Sequence, residues 1–423
     1  MSRGMLRDLQ AVTAGRVYDR SAFVVVEPAH RDDVSAVARF CSARGVALST
    51  LGTGHAQRPH ALFNGGVVLD MRALNAIVRV DEEAIVAGAG ARWFEIADAA
   101  LAIDRAPPVL PTCLELSIGG THATGGIGVA SFRHGQQIDH CLALDVVMAN
   151  GEQTTCTPGD ALFLACLGGL GQCAIITQVT HALRPVARDS REYWLSYSDH
   201  AAFAADCATL ADEPDVEAID AQAVPDGRFQ ILVRREGPAL HASHAAFIER
   251  RSARAGMHRD RPTKVALLPD TPTTDAFLPL IGAWDEHFVP ANAAPDVTRA
   301  MLSLVPSDWL ARGHVLLWQL AARGSPPFMP RPPGDRLALI SVRAPTDAVD
   351  LTAMAGISEV AREAGGTRYV SRYRAADRST WSAHFGAGWP TVNALKRRFD
   401  PQGILNGGVI AYEEDQRSEG QHG

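Results

Sequence analysis

No apolar run in the 423-residue chain approaches the length of a spanning helix, and the opening MSRGMLRDLQAV lacks the apolar core of a signal peptide. The chain therefore reads as cytoplasmic, with no membrane partner. Basic blocks are missing as well. The formal net charge of -7 is spread along the sequence, which argues against nucleic acid and favours a small-molecule substrate. The 7 cysteines include no C-x-x-C pair and, being odd in number, cannot all pair within the chain. Neither a disulfide framework nor a structural zinc is expected, and no metal site is read. No internal repeat is visible.

What is present is an ordinary globular balance, 47% hydrophobic and 21% charged, over a length that suits two or three domains. Near the start, Val34, Val37, Ala38 and Cys41 fall at helical spacing, Gly45 suits the helix end, and Val46 to Leu51 is a short strand. A further helix is expected from about Arg92 to Leu101. LALDVVMANGEQTTC reads as a hairpin turning at Asn150-Gly151, followed by a helix over Asp160 to Leu167 and the strand AIITQVT. From about Val186 the composition changes, with polar helical stretches around His200 to Leu210 and Ala239 to Ala255 and a Pro-rich SPPFMPRPPGD, so a second domain is expected there.

Two glycine-dense segments carry the chemistry. In LGTGHAQ, Gly52 and Gly54 follow a strand, where residues without Cβ permit positive φ and bring backbone N–H groups close to a phosphate. In LSIGGTHATGGIGVASFRHG, glycines again follow a short apolar run, as a backbone wrapped around a planar ligand requires. Taken singly, either segment reads equally well as a set of tight turns, and His55 as a hydrogen-bonded turn residue. Neither is a G-x-G-x-x-G opening a helix, so a nicotinamide-type fingerprint is absent.

The strings LGTGHAQ, IGGTHATGGIGVASFRHGQQI, GGLGQCAIITQV, WSAHFG and LKRRFDPQGIL, in this order, resemble stretches of the cytokinin dehydrogenases, within the vanillyl-alcohol-oxidase and berberine-bridge-enzyme superfamily of FAD oxidoreductases. YSDHAAFAAD resembles that family's entry into its substrate domain. The resemblance implies an α+β fold: a two-part, PCMH-type FAD-binding domain, residues 1–185 and 355–423, with an inserted α+β substrate cap, 186–354. It implies FAD bonded covalently to His55, backbone contacts to the diphosphate from Gly52, Thr53, Gly54 and Ala56, and further cofactor contacts at Ser117, Gly119, Gly120, Ala123, Ile127, Ile176, Tyr369 and Asn406. Covalent attachment is expected to make the flavin a better hydride acceptor.

The chain departs from the pattern at Thr112, where cytokinin dehydrogenases carry the aspartate that accepts the substrate proton. A threonine hydroxyl hydrogen-bonds but is no base near neutral pH, so substrate activation is expected from Asp220, Glu115 or Tyr369. Cys113 precedes Gly119-Gly120 by the interval at which the berberine-bridge branch places a second flavin-linked cysteine, and is either that link or an inert core thiol. Arg133 and His134 fall on a turn beside the glycines, as substrate contacts or carbonyl caps. Tyr369 and Tyr373 share one face of an expected strand. The expected activity is hydride removal from an amine or natural-product intermediate, with O2 or another acceptor reoxidising the flavin. The alternatives are an alcohol or sugar oxidase of this fold and a flavin-binding protein without turnover.

Overall fold

A computed structural model describes residues 12–412 except 14–15, 18–23, 57–65, 188–189, 225–226, 238–245, 250, 252–255, 264–280, 308, 310–314, 322–324, 346–348 and 371–375. Among the described residues no helix is long and apolar enough to cross a membrane.

The N-terminal region begins with a three-stranded parallel sheet in the order β1 (Val24–Val26), β3 (Val67–Asp70), β2 (Leu48–Leu51). Helix α1 (Arg31–Arg44) makes the crossover between β1 and β2. Asp33 starts it by accepting the amides of Ala29 and His30 at 3.0 and 2.9 Å, and Gly45, at φ 63°, ends it. Its buried residues Val34, Ala38 and Cys41 follow the spacing read from the sequence, and they pack on the sheet.

An antiparallel five-stranded sheet follows, ordered β7 (Gln153–Cys156), β6 (Cys141–Val147), β8 (Ile175–Ala182), β5 (Ala84–Gly88), β4 (Ile77–Val80). The β6–β7 hairpin turns through Gly151, at φ 81°, with the Asn150 side chain accepting the Glu152 amide at 3.0 Å. Helices α2 (Trp93–Leu101) and α5 (Ala161–Cys166) lie within a residue or two of their expected bounds. The Gly119–Gly120 pair, read from the sequence as part of a turn, instead falls inside the short helix α3 (Ile118–Thr124). Arg133 and His134 close a second short helix, α4 (Ser131–His134).

Residues 190–368 build an eight-stranded sheet, antiparallel throughout: β12 (Gly256–Thr263), β9 (Ser190–Tyr197), β11 (Phe229–Glu236), β10 (Val216–Ala223), β14 (Val315–Ala321), β15 (Arg336–Pro345), β13 (Ile281–Pro290), β16 (Thr367–Arg368). Strand alternation divides this sheet between two cores. In β15, Leu337 and Leu339 join the core of the five-stranded sheet with Phe288 and Tyr369. Ala338, Ile340, Val342 and Ala344 join a second core under helices α6 (His200–Leu210), α7 (Ala294–Leu304) and α8 (Leu351–Glu363). The chain then returns through α9 (Arg378–Phe385) and α10 (Trp389–Phe399) to the first region, where Leu405 bridges to Leu48. The strand expected across Tyr369 and Tyr373 ends at Arg368, and Tyr373 lies outside the described residues. Most of the helix expected over Ala239 to Ala255 lies outside them too.

Candidate active site

Between the two glycine segments and the large sheet lies a cavity of about 260 Å³. The turn after β2 supplies Gly52, Thr53, Gly54, His55 and Ala56 to its wall. Gly54 has φ 78°, a conformation glycine adopts without strain. A side chain at Gly52 would collide with Ser117 Oγ, so glycine there lets the His55 turn close on the start of α3. Helix α3 is held down in turn: Ile118 and Gly119 donate to Ala91 and Ala89 at 2.8 and 2.9 Å, and a Cβ on Gly119 would stand 2.6 Å from that of Ala89.

On its far side α3 rests on a buried aromatic cluster. Trp93 Nε1 donates to Thr121 Oγ1 at 2.9 Å, and His122 Nδ1 lies 2.8 Å from the Ile118 carbonyl. His122 Nε2 meets His181 Nδ1 at 3.3 Å. A carbonyl only accepts, so His122 carries its proton on Nδ1 and accepts from His181 through Nε2. Burial pushes His122 down to about 4 and His181 well below the usual imidazole range, so both are neutral near pH 7.

The rest of the wall comes from distant stretches. Ser117, Gly119, Gly120, Ala123, Ile127 and Ile176 all line the cavity, as do Asn406, at φ 43°, and Gly171, at φ 68°. From the large sheet come Trp284 and Glu286, two residues apart on one face of β13, joined by Tyr369. Tyr369 donates its hydroxyl to the Thr124 carbonyl at 2.6 Å and its amide to the Glu286 carbonyl at 2.8 Å. Trp284 is fixed by its Nε1 bond to Ser341 Oγ at 2.6 Å and by the Arg343 guanidinium 3.9 Å above its ring.

Thr112 is in the wall with Tyr369, whereas Glu115, Asp220, Cys113, Arg133 and His134 are not. Glu115 is half exposed and pairs with Arg92 at 3.2 Å, Asp220 is half-buried within β10, and Cys113 is half-buried beside the wall. Arg133 turns to the carbonyls of Val216 and Glu213 at 2.9 and 2.6 Å, and His134 to Glu217 at 3.1 Å. Sequence reasoning missed Trp284 and Glu286, and Glu286 is the one carboxylate among the described residues lining the cavity. The segment WDEHF offers two adjacent acids, and only strand register shows that Asp285 faces the other way, to Arg368 and Ser358.

The wall fits FAD. Small or apolar side chains (Ala89, Ala123, Ala174, Ile127, Ile176) suit a flat ring system, and the glycines at 52, 119 and 171 let the wall segments close on Ser117, Ala89 and Asn406, where Cβ atoms would collide. With no Lys or Arg among the described lining residues, a diphosphate there would depend on backbone N–H groups and hydroxyls.

A family model described as an FAD binding domain matches residues 22–157, and one described as cytokinin dehydrogenase, FAD and cytokinin binding, matches residues 353–411. An uncharacterized oxidoreductase from the fasciation locus of Rhodococcoides fascians is 27% identical over 403 residues, covering 90% of this chain and 92% of that protein. Cytokinin dehydrogenase 8 of Oryza sativa subsp. indica is 27% identical over 93% of this chain and 89% of its own length. Cytokinin dehydrogenase 7 of the japonica subspecies reaches 36%, over 48% of this chain and 41% of that enzyme. With the FAD-binding match over the region that carries the His55 turn, and relatives aligned along nine-tenths of its length, the chain is an FAD-dependent oxidoreductase similar to the cytokinin dehydrogenases.

Proposed function

We propose that the enzyme holds FAD covalently through His55 and oxidises a small organic substrate, an amine or a natural-product intermediate, at a C–H bond facing the flavin. The observation that carries this reading is the presence of Glu286 in the wall of the same cavity as the His55 turn. The cofactor supplies a hydride acceptor at N5, and O2 or another acceptor removes the electrons. Glu286, at 2% exposure, takes up the substrate N–H or O–H proton in a site shielded from water. Thr112 orients that group by hydrogen bonding. Tyr369, its hydroxyl committed to the Thr124 carbonyl, shapes the wall and accepts no proton. Trp284 offers a rigid aromatic face, and the eight-stranded sheet that carries it acts as the substrate cap. Cys113 lies outside the wall, which favours His55 as the single attachment point.

Anaerobic bleaching of the flavin by a panel of amines, alcohols and polycyclic phenols tests the reading. Rapid reduction by an amine supports it, reduction only by sugars or simple alcohols moves the protein to the alternative oxidase class, and a panel without effect leaves a flavin-binding protein.

A further inference from the structure

We propose that Lys396 is a positioning residue for the flavin cleft, tying together the two segments that carry Gly171 and Asn406 in its wall; the proposal rests on the reading that FAD occupies the cavity. Lys396 lies on α10 and is only 7% exposed, yet all three of its ammonium hydrogens are engaged. Nζ donates to the Gln172 carbonyl at 3.0 Å, the Leu405 carbonyl at 2.8 Å and Asp400 Oδ2 at 2.7 Å. Asp400 in turn accepts the amides of Ile404 and Leu405 at 3.1 and 2.8 Å. The two carbonyls belong to residues directly beside Gly171 and Asn406, both in the cavity wall and both at positive φ.

Those two neighbours are pressed together. A Cβ on Gly171 would stand 2.7 Å from Asn406 Nδ2, and that nitrogen donates to the Leu170 carbonyl at 2.6 Å. Gln172 Nε2 returns a bond to the Asn406 carbonyl at 3.0 Å, and the Asn406 amide donates to Leu48 at 2.9 Å, at the start of the strand that leads into the His55 turn. A non-glycine residue at φ 43° persists only where its surroundings over-determine it. The buried ammonium does this from behind. Lysine fits because it is a compact charge with three rotatable donors, whereas the planar fork of arginine cannot reach three acceptors arranged around one point.

The test uses the full chain in a His55→Ala background, where FAD binds without a covalent bond. Affinity is read by fluorescence titration, and cofactor geometry by visible-region circular dichroism. The Lys396→Met/Asp400→Asn pair removes both charges and leaves one acceptor oxygen for the amides of Ile404 and Leu405, and is expected to weaken FAD binding at least tenfold and to change the dichroism. Lys396→Arg keeps the charge with the wrong donor geometry, provides a milder variant should the pair fold poorly, and is expected to weaken binding at least threefold. A purely structural lysine would lower the thermal midpoint and leave the dichroism of bound flavin unchanged. Affinity within twofold of the parent and parental dichroism in both variants would overturn the role of Lys396. A parent that binds no FAD would overturn the cofactor reading itself, and the role with it.

Discussion

Glu286 and His55 stand on different elements and answer to different measurements. Glu286→Gln keeps the size of the side chain and removes the base, so the rate of anaerobic flavin reduction is expected to fall by roughly 10²- to 10⁴-fold while flavin content is retained. A fall of less than threefold would shift the proton to another acceptor. His55→Ala is expected to release all flavin into the supernatant on acid precipitation, where the unaltered chain keeps it with the protein. Peptide mass mapping should place the adduct on the His55 peptide alone, and a flavin mass on the Cys113 peptide would establish a second link. Turnover of isopentenyl adenine is expected to be weak, with Thr112→Asp raising it by supplying a second carboxylate to the same cavity; strong turnover by the unaltered enzyme would show that Thr112 is no obstacle.

Helix α3 has only 7 residues and owes its place to what lies on its two sides. Toward the sheet, Gly119→Ala would drive a methyl against Ala89, an overpacking expected to cost about 1–3 kcal/mol and to reduce flavin loading, read by thermal melts and absorbance ratios. Behind it, neutral His122 and His181 face one another, with His140 and Trp93 packed alongside. The folded-state value of His122, about 4, lies below its unfolded value near 6.5, so the unfolded chain binds the extra proton. Stability from this group is therefore complete above about pH 7 and is lost as pH falls from roughly 6.5 toward 4. His287, also held near 4 by burial, adds to the same slope. Urea unfolding at pH 7.5 and pH 5 should show a loss of about 1–3 kcal/mol per buried histidine at the lower pH, smaller in His122→Phe. Equal stability at both pH values would contradict the neutral buried pair.

Across the whole molecule, the large sheet serves two cores at once, and adjacent residues of β15 report on them separately. Leu339→Ala and Ile340→Ala are each expected to cost about 2–5 kcal/mol in unfolding free energy, since both side chains are fully buried. Only Leu339→Ala, in the core shared with Tyr369 and Phe288, should also alter the flavin absorption band; an identical spectral change in Ile340→Ala would contradict the division. The local features were legible in the sequence because they are written in neighbouring residues. Helical spacing in α1, the Asn150-Gly151 hairpin and the His55 turn between glycines each depend on a few consecutive side chains, and Asn406 and Tyr369, which the resemblance implied as cofactor contacts, line the cavity. Glu286 was not legible, because the choice between it and Asp285 depends on the register of β13 against β15 and β16, in which Asp285 and Glu286 pair with the distant Val342 and Ser341. The same holds for Lys396. Its i,i+4 pairing with Asp400 reads as an ordinary helix-surface pair, and only burial against Gln172 and Leu405 gives it a place behind the cleft. By itself, the sequence determined where the backbone can approach closely, since such approach requires glycine at particular positions, and its resemblance to the cytokinin dehydrogenases pointed to the cofactor class. Tertiary structure alone decided which carboxylate lines the cavity and which charges are buried, since strand facing and burial follow from long-range packing.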